Sequence, residues 1–74
     1  MNSQPETSFK TRLQEEGSSL SVKIEKLELF MRSPKYLELD PRDRYLLMKQ
    51  MSYMSKYLGI LELRLMRLGE VPEW

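Results

Sequence analysis

Apolar residues in the second half of the chain recur at alternating steps of four and three. The line consists of Leu47, Met51, Met54, Leu58, Leu61, Leu65 and Leu68. This heptad spacing predicts a helix that buries one face against a partner helix. A second apolar line, here called the spare stripe, runs beside it and comprises Leu46, Tyr53, Tyr57, Ile60 and Leu63. Because one partner helix covers one line, the spare stripe predicts a further partner, and self-assembly is the simplest.

The ends of this second helix are marked by strong local signals. Asp40 is a favoured N-cap residue, and Pro41 suits the first helical position, where a missing N–H costs nothing. Gly69 is a favoured C-terminal cap, and Val71-Pro72 forbids continuation. The pattern therefore predicts a helix from Pro41 to about Leu68.

The first half of the chain predicts a second amphipathic segment. Its near-heptad line consists of Phe9, Leu13, Glu16, Leu20, Ile24, Leu27 and Met31. Gly17-Ser18-Ser19 interrupts it, and glycine costs roughly 1 kcal/mol against alanine inside a helix. The spacing allows one continuous helix, but we favour a break or kink, with a short helix from Ser8 to Glu16 and a longer one from Ser18 to Met31. A shorter first helix leaves one end of helix two to overhang and pair with another protomer.

Ser33-Pro34 ends the first helix, because a residue before proline is pushed out of the helical region. In the connection, residues 33–40, Tyr36, Leu37 and Leu39 are expected to fold back over the end of the hairpin. The predicted fold is thus all-α: an antiparallel helical hairpin with a short or kinked N-terminal helix, assembling into a homo-oligomeric helical bundle. Its parts are a disordered lead-in (1–7), the hairpin domain (8–68) and a C-terminal tail (69–74), whose Trp74 either docks on a neighbour or extends freely.

Composition narrows the classes of function. The 74 residues contain no cysteine and no histidine, which excludes disulfides and removes the commonest zinc ligand and general base. With no glycine-rich phosphate loop and no carboxylate cluster at metal spacing, we predict neither an enzyme nor a cofactor. The net charge of +1 disfavours DNA binding. No apolar run suits a membrane span and the polar start is not a secretory signal, so a cytoplasmic protein is expected.

Residues suited to ligand binding are more numerous than residues suited to catalysis. Helix two carries Lys49, Tyr53, Lys56, Tyr57, Arg64 and Arg67 in adjoining rows, and helix one carries Lys10, Arg12, Lys23 and Lys26. Tyrosine offers a face on which a base can stack, and Lys or Arg offers donors for phosphate. Spacing alone favours the plainer alternative, in which these are flanking charges that pair with Glu25, Glu28 and Glu62. The methionines similarly suit a core or oligomer contact better than an adaptable binding surface.

A longer pattern resembles a known group of proteins. It reads Arg12-Leu13-x-x-Glu16, Leu20-x-x-Lys23-Ile24-x-Lys26-Leu27-x-x-Phe30-Met31-x-Ser33, Tyr36-x-x-Leu39, Leu46-Leu47, Gln50, Met54, Tyr57, Ile60-Leu61 and Arg64-Leu65. Over residues 8–66 it resembles very small phage proteins with a helical-hairpin fold. These are similar to the anti-CBASS sponges, which share a hairpin domain with the larger anti-Thoeris sponges.

The resemblance implies an oligomer, often a hexamer, that binds a cyclic di- or trinucleotide immune signal without cleaving it, in the host cytoplasm. Pockets between protomers would use an aromatic ring of the N-terminal helix for stacking and a lysine for phosphate. Those roles fall to Phe9 and to Lys23 or Lys26. Arg12 would be a second hydrogen-bond donor to the anion, and Tyr57 with Arg64 would come from a neighbouring helix two. The known sponges have tyrosine in a Gly-Tyr-Arg setting, whereas this chain has Ser8-Phe9-Lys10. The rival hypothesis is a hairpin inhibitor that docks its spare stripe on a host protein.

Overall fold

Two long helices pack side by side as an antiparallel hairpin. The computed structural model describes the backbone of residues 5–74 and the side chains of residues 9–74. Its helices are α1 (Pro5–Met31), α2 (Pro34–Leu37) and α3 (Pro41–Arg67), and this part of the chain contains no strand. The all-α hairpin is therefore confirmed. Helices α1 and α3 each have 27 residues, so the prediction that helix two overhangs a shorter partner is wrong.

Helix α1 begins at Pro5, three residues before the predicted start at Ser8. Proline is compatible with the first turn, because the N–H groups there have no partner within the helix. Of the predicted lead-in 1–7, residues 1–4 lie outside the described residues. Within the described range, no helix is both long enough and apolar enough to cross a membrane.

Helix α1 continues through Gly17, so the predicted break into a short and a longer helix is wrong. The glycine has a packing role instead, because the ring of Trp74 lies against it so closely that a Cβ atom would overlap the indole. The local cost of glycine in a helix is thus offset by a contact from the other end of the chain. Such a tertiary contact leaves no trace in local propensity.

The ends of α3 are capped as the sequence predicts. The Asp40 side chain accepts a hydrogen bond from the Arg42 backbone N–H at 2.8 Å. At the other end Gly69 has a φ of 77°, and the N–H of Glu70 donates to the Leu65 carbonyl at 2.9 Å. A backbone with positive φ favours glycine, and this bond satisfies a carbonyl that the helix leaves free.

The core is a single layer of leucines between the two long helices. Leu13 and Leu20 of α1 are buried with Leu61 and Leu65 of α3, and partly buried residues extend this cluster in both directions. The hairpin measures 52 × 18 × 18 Å, with a radius of gyration of 15.9 Å. A globular chain of this length would have a radius of gyration of about 11 Å. The protomer is therefore a rod with little interior.

The connection between the long helices packs only in part as predicted. The Tyr36 ring meets the Phe30 ring edge-on at a centroid distance of 6.2 Å, and its hydroxyl donates to the Arg44 carbonyl at 3.2 Å. Leu39 is half-buried, but Leu37 is 70% exposed, so its expected fold-back is wrong. Tyr36 packs on the hairpin from the four-residue helix α2, and the next residue of a helix points about 100° away, so Leu37 faces outward.

The heptad line of α3 faces α1, as expected, and the spare stripe faces outward. Every residue of the heptad line is buried or half-buried, whereas every residue of the spare stripe is exposed. Of the methionines near the hairpin seam, Met31, Met51 and Met54 are half-buried and Met48 is exposed. The hairpin thus carries a set of apolar residues along α3 that its own helices do not cover.

Candidate functional site

An aromatic ring with a guanidinium group from each long helix beside it lies at the open end of the hairpin. Phe9 is 41% exposed near the start of α1. The Arg12 Cζ lies 6.0 Å from the ring centroid and the Arg64 Cζ lies 5.5 Å from it. Both distances are within the range in which a cation is attracted to the face of an aromatic ring. The three side chains together offer a flat apolar surface and two planar, positively charged groups that donate hydrogen bonds.

Local periodicity and the core together position these three side chains. Arg12 follows Phe9 by three residues, which places both on one side of α1. Arg64 comes from α3, immediately before the buried Leu65, and Leu13 is buried immediately after Arg12. The packing of the two leucines between the helices fixes the register that brings Arg64 to Phe9.

The contact between Phe9 and Arg64 also defines one side of the hairpin, here called the ligand face. Steps of three and four from Phe9 lead along α1 through Arg12, Glu16, Ser19, Lys23 and Lys26. The same steps backward from Arg64 lead along α3 through Ile60, Tyr57, Tyr53, Gln50 and Leu46. Residues at such steps share a helix side. All six residues that the sequence analysis singled out, Phe9, Arg12, Lys23, Lys26, Tyr57 and Arg64, fall on the ligand face.

Position along the rod separates these six residues. Lys23 and Lys26 follow Phe9 by 14 and 17 residues, which corresponds to about 21 and 26 Å along the helix axis. Tyr57 precedes Arg64 by seven residues, or about 10 Å. A single protomer therefore brings together Phe9, Arg12 and Arg64, and holds the two lysines at a distance.

The other basic residues of α3 are arranged around tyrosines. The Lys49 ammonium lies 5.8 Å from the Tyr45 ring centroid and 5.5 Å from that of Tyr53, and Lys56 lies 5.9 Å from Tyr53. All four side chains are exposed. The lysines and Tyr53 were predicted from the sequence, but Tyr45 was not, although it lies four residues before Lys49 and so on the same side of the helix.

Salt bridges do not account for the lysines of the ligand face. Among the side chains of residues 9–74, no ion pair joins Lys23 or Lys26 to a carboxylate. The alternative in which these lysines pair with Glu25, Glu28 or Glu62 is therefore not supported. Lys10 instead approaches Glu70 at 3.6 Å.

The C-terminal tail docks on α1 of its own chain. The Gln14 amide donates to the Val71 carbonyl at 2.9 Å, and its oxygen accepts from the Glu73 N–H at 3.0 Å. Trp74 is half-buried against Gly17 and joins the leucine core. Both predicted alternatives for Trp74, docking on a neighbour and extending freely, are wrong for the protomer. No sequence pattern indicated a role for Gln14, because its partners lie 57 and 59 residues away.

A comparison with protein-family models shows which family this chain belongs to. The model of the family Sequestin matches residues 7–67, which include both long helices almost entirely. The chain belongs to the Sequestin family. Searches of the curated proteins and of the solved structures found no match.

Membership agrees with the resemblance to small phage sponge proteins, and the family's name indicates sequestration of a ligand. The match includes all six residues singled out above. It ends at Arg67, before the tail that carries Val71, Glu73 and Trp74.

Proposed function

We propose that this Sequestin is a phage anti-defence protein that binds a cyclic oligonucleotide immune signal and sequesters it without cleavage. The observation that carries the proposal is the half-exposed Phe9 ring with a guanidinium from each long helix beside it. A base can stack on an aromatic ring or on a guanidinium plane, and a guanidinium can bind phosphate through paired hydrogen bonds. The same three side chains therefore offer contacts to both parts of a nucleotide.

Binding without cleavage fits the chemistry of these groups. A guanidinium group offers hydrogen-bond donors and no acceptor, so neither Arg12 nor Arg64 is suited to act as a general base. A phenyl ring stacks but neither donates nor accepts a proton. Such a site holds an anion and returns it unchanged on release.

Assembly of several protomers would complete the site. One protomer contributes a single ring and two guanidiniums at Phe9, whereas a cyclic di- or trinucleotide carries at least two bases and two phosphates. Lys23 and Lys26 are about 21 and 26 Å from Phe9 along their own helix, so a neighbouring protomer would supply the phosphate-binding lysine. Tyr57 would reach the ligand in the same way. A closed symmetric oligomer, such as a hexamer, would repeat this pocket at each interface.

Calorimetric titration with cyclic di-AMP, cyclic GMP–AMP and cyclic tri-AMP tests the proposal. We expect micromolar or tighter binding of at least one, recovery of intact ligand after heating, and a ligand-dependent rise in Tm. Phe9→Ala should weaken binding with little effect on folding, because the ring is partly exposed and outside the leucine core. Val22→Ala serves as its matched control, because Val22 is an apolar residue of α1 that is similarly exposed and belongs to neither the ligand face nor the spare stripe. No binding by the wild-type chain across the three ligands would refute the proposal.

A second candidate function rests on the spare stripe. Its five exposed apolar residues extend along α3 and include Tyr53 and Ile60, and aromatic residues are enriched in protein interfaces. A host protein could dock there, which would make the chain a hairpin inhibitor. Capture of one host protein by the wild type, lost in a Tyr53→Ala and Ile60→Ala double variant, with no response to nucleotides, would favour this function.

A further inference from the structure

The two ends of the hairpin are closed in different ways. At one end α1 and α3 are joined through α2, so the chain itself holds them together. At the other end, where Phe9 meets Arg64, no short connection links the helices. Residues 69–74, here called the clasp, leave α3 at Gly69 and return along α1 at this open end.

Three residues of α1 hold the clasp. Gln14 makes hydrogen bonds of 2.9 and 3.0 Å with its backbone, Lys10 approaches Glu70 at 3.6 Å, and the Trp74 ring lies against Gly17. Lys10, Gln14 and Gly17 follow one another at steps of four and three, so they share one side of α1. Phe9 and Arg12 lie on the other flank of the core line, and the clasp therefore leaves the ligand face open.

Packing, and not a polar bond, secures the indole. The Trp74 Nε1 atom is buried and has no hydrogen-bond partner among the described residues. A buried donor without a partner carries a desolvation cost, which opposes the favourable burial of the ring. The docked position depends on the space that Gly17 leaves, because a Cβ atom there would overlap the ring.

We propose that the clasp is a positioning element: it holds the first turns of α1 against α3 and so preassembles Phe9 and Arg12 with Arg64. This inference rests on the proposed function for its effect on ligand binding, but its effect on the order of α1 stands independently. The clasp lies beyond the residues matched by the family model, which end at 67. It is thus a part of this chain that the family match does not explain.

A pair of glycine variants tests the clasp. In Gly17→Ala the new methyl group would overlap the Trp74 ring, whereas in Gly59→Ala it meets nothing within 4 Å. Both glycines lie inside a long helix, so both variants gain a similar helix propensity. Any difference between the measured properties of the two variants therefore reports displacement of the indole. Trp74→Ala removes the ring without changing the sequence of α1, and it covers the case in which Gly17→Ala does not fold.

Three readouts follow from the proposal. Trp74 is the sole tryptophan, so its emission should shift to the red in Gly17→Ala and stay unchanged in Gly59→Ala. Hydrogen exchange of the amides of residues 9–12 should become faster in Gly17→Ala and in Trp74→Ala. If only about a tenth of the variant molecules have the site assembled, the apparent Kd for the cyclic nucleotides named above rises about tenfold.

Two results would overturn the inference. One is a released Trp74 with unchanged exchange at residues 9–12, which would make the clasp irrelevant to the order of α1. The other is an unshifted emission in Gly17→Ala, which would mean that the ring does not depend on the space at Gly17. If the wild type binds none of the three nucleotides, the proposed function fails, and the exchange comparison still decides the clasp.

Discussion

Phe9 is placed so that one ring meets cationic groups from both long helices. The guanidiniums of Arg12 and Arg64 lie within 6.0 Å of its centroid. At exposed sites such pairs contribute about 0.5–1 kcal/mol each, which is too little to hold the hairpin together. The arrangement is better explained by what it offers to a ligand than by its contribution to folding.

Arg64→Lys separates the shape of the guanidinium from its charge. Lysine keeps the positive charge but loses the planar group that stacks and binds phosphate through two bonds. We expect about a tenfold weaker ligand affinity, equivalent to about 1.4 kcal/mol, measured by calorimetry. Arg67→Lys, also exposed on α3 and three residues further along, is the control and should leave the affinity unchanged. Equal losses in both variants would argue against a specific role for Arg64.

The stability contribution of a single residue, Asp40, can be tested through its dependence on pH. Hydrogen bonds from the Arg42 side chain and then from its backbone N–H hold the pKa of the Asp40 carboxyl below its ordinary value. A carboxyl whose pKa is lower in the folded chain stabilises that chain above its unfolded pKa, and this contribution is lost as pH falls through the folded pKa.

Asp40→Asn removes this pH dependence and keeps a side-chain acceptor for the cap. The Tm difference between wild type and Asp40→Asn should be constant at neutral pH and shrink as pH falls below about 4, near the ordinary pKa of aspartate. Asp40→Ala should have a lower Tm than Asp40→Asn, because it also loses the cap. A Tm difference between wild type and Asp40→Asn that grows on acidification would contradict this account.

At the scale of the helices, four buried leucines and their half-buried neighbours provide the core. Leu61 and Leu65 are fully buried, while most other apolar residues of α3 retain exposed surface. A small core makes each of its members important, since burying a leucine side chain contributes about 1.5–3 kcal/mol. The hairpin register, and with it the ligand face, depends on these few contacts.

Leu61→Ala should therefore destabilise the chain by about 2–5 kcal/mol, because it removes buried methyl groups and leaves a cavity. Leu37→Ala is the matched control: its side chain is 70% exposed, and an exposed substitution should stay within about 0.5 kcal/mol. Chemical denaturation of both variants at one protein concentration measures the difference. Similar losses of unfolding free energy in the two variants would show that the core is assigned wrongly.

Much of the helical structure could be predicted from the sequence. Asp40, Pro41 and Gly69 act locally, and heptad spacing is a repeated signal, so the bounds and the buried face of α3 could be inferred. Gly17 could not be interpreted correctly, because its partner Trp74 is distant in sequence. For the candidate site, spacing placed Phe9 and Arg12 on one helix side, but only the hairpin register brings Arg64 to them. The same geometry shows why Lys23 is far from Phe9 within a protomer.

At the scale of the whole molecule, the protomer is a thin rod with an exposed apolar stripe. Chains of this size often need a further source of stability, and this one has no cysteine for a disulfide. Contact between copies along the spare stripe would bury that surface, and the proposed pocket needs a neighbouring copy to supply Lys23 or Lys26. Assembly and ligand binding would then stabilise each other.

Ile60→Lys tests this assembly. A lysine in the spare stripe should reduce the native mass, since burying its charge at an interface without a partner is unfavourable. Met66→Lys introduces the same charge at an exposed apolar residue of α3 that lies off the stripe, and should leave the mass unchanged. Sedimentation gives the masses, and circular dichroism checks that both variants remain helical. An unchanged mass for Ile60→Lys would exclude the spare stripe as the contact.

The central claim, that this Sequestin sequesters a cyclic nucleotide, is tested most directly by one calorimetric titration. Purified wild-type protein is titrated with cyclic di-AMP, cyclic GMP–AMP and cyclic tri-AMP, and the native mass is measured on the same sample. The account predicts saturable micromolar or tighter binding of at least one nucleotide by an oligomer, with the ligand recovered intact after heating. A folded protein that binds none of the three, or one that returns a cleaved ligand, would contradict it.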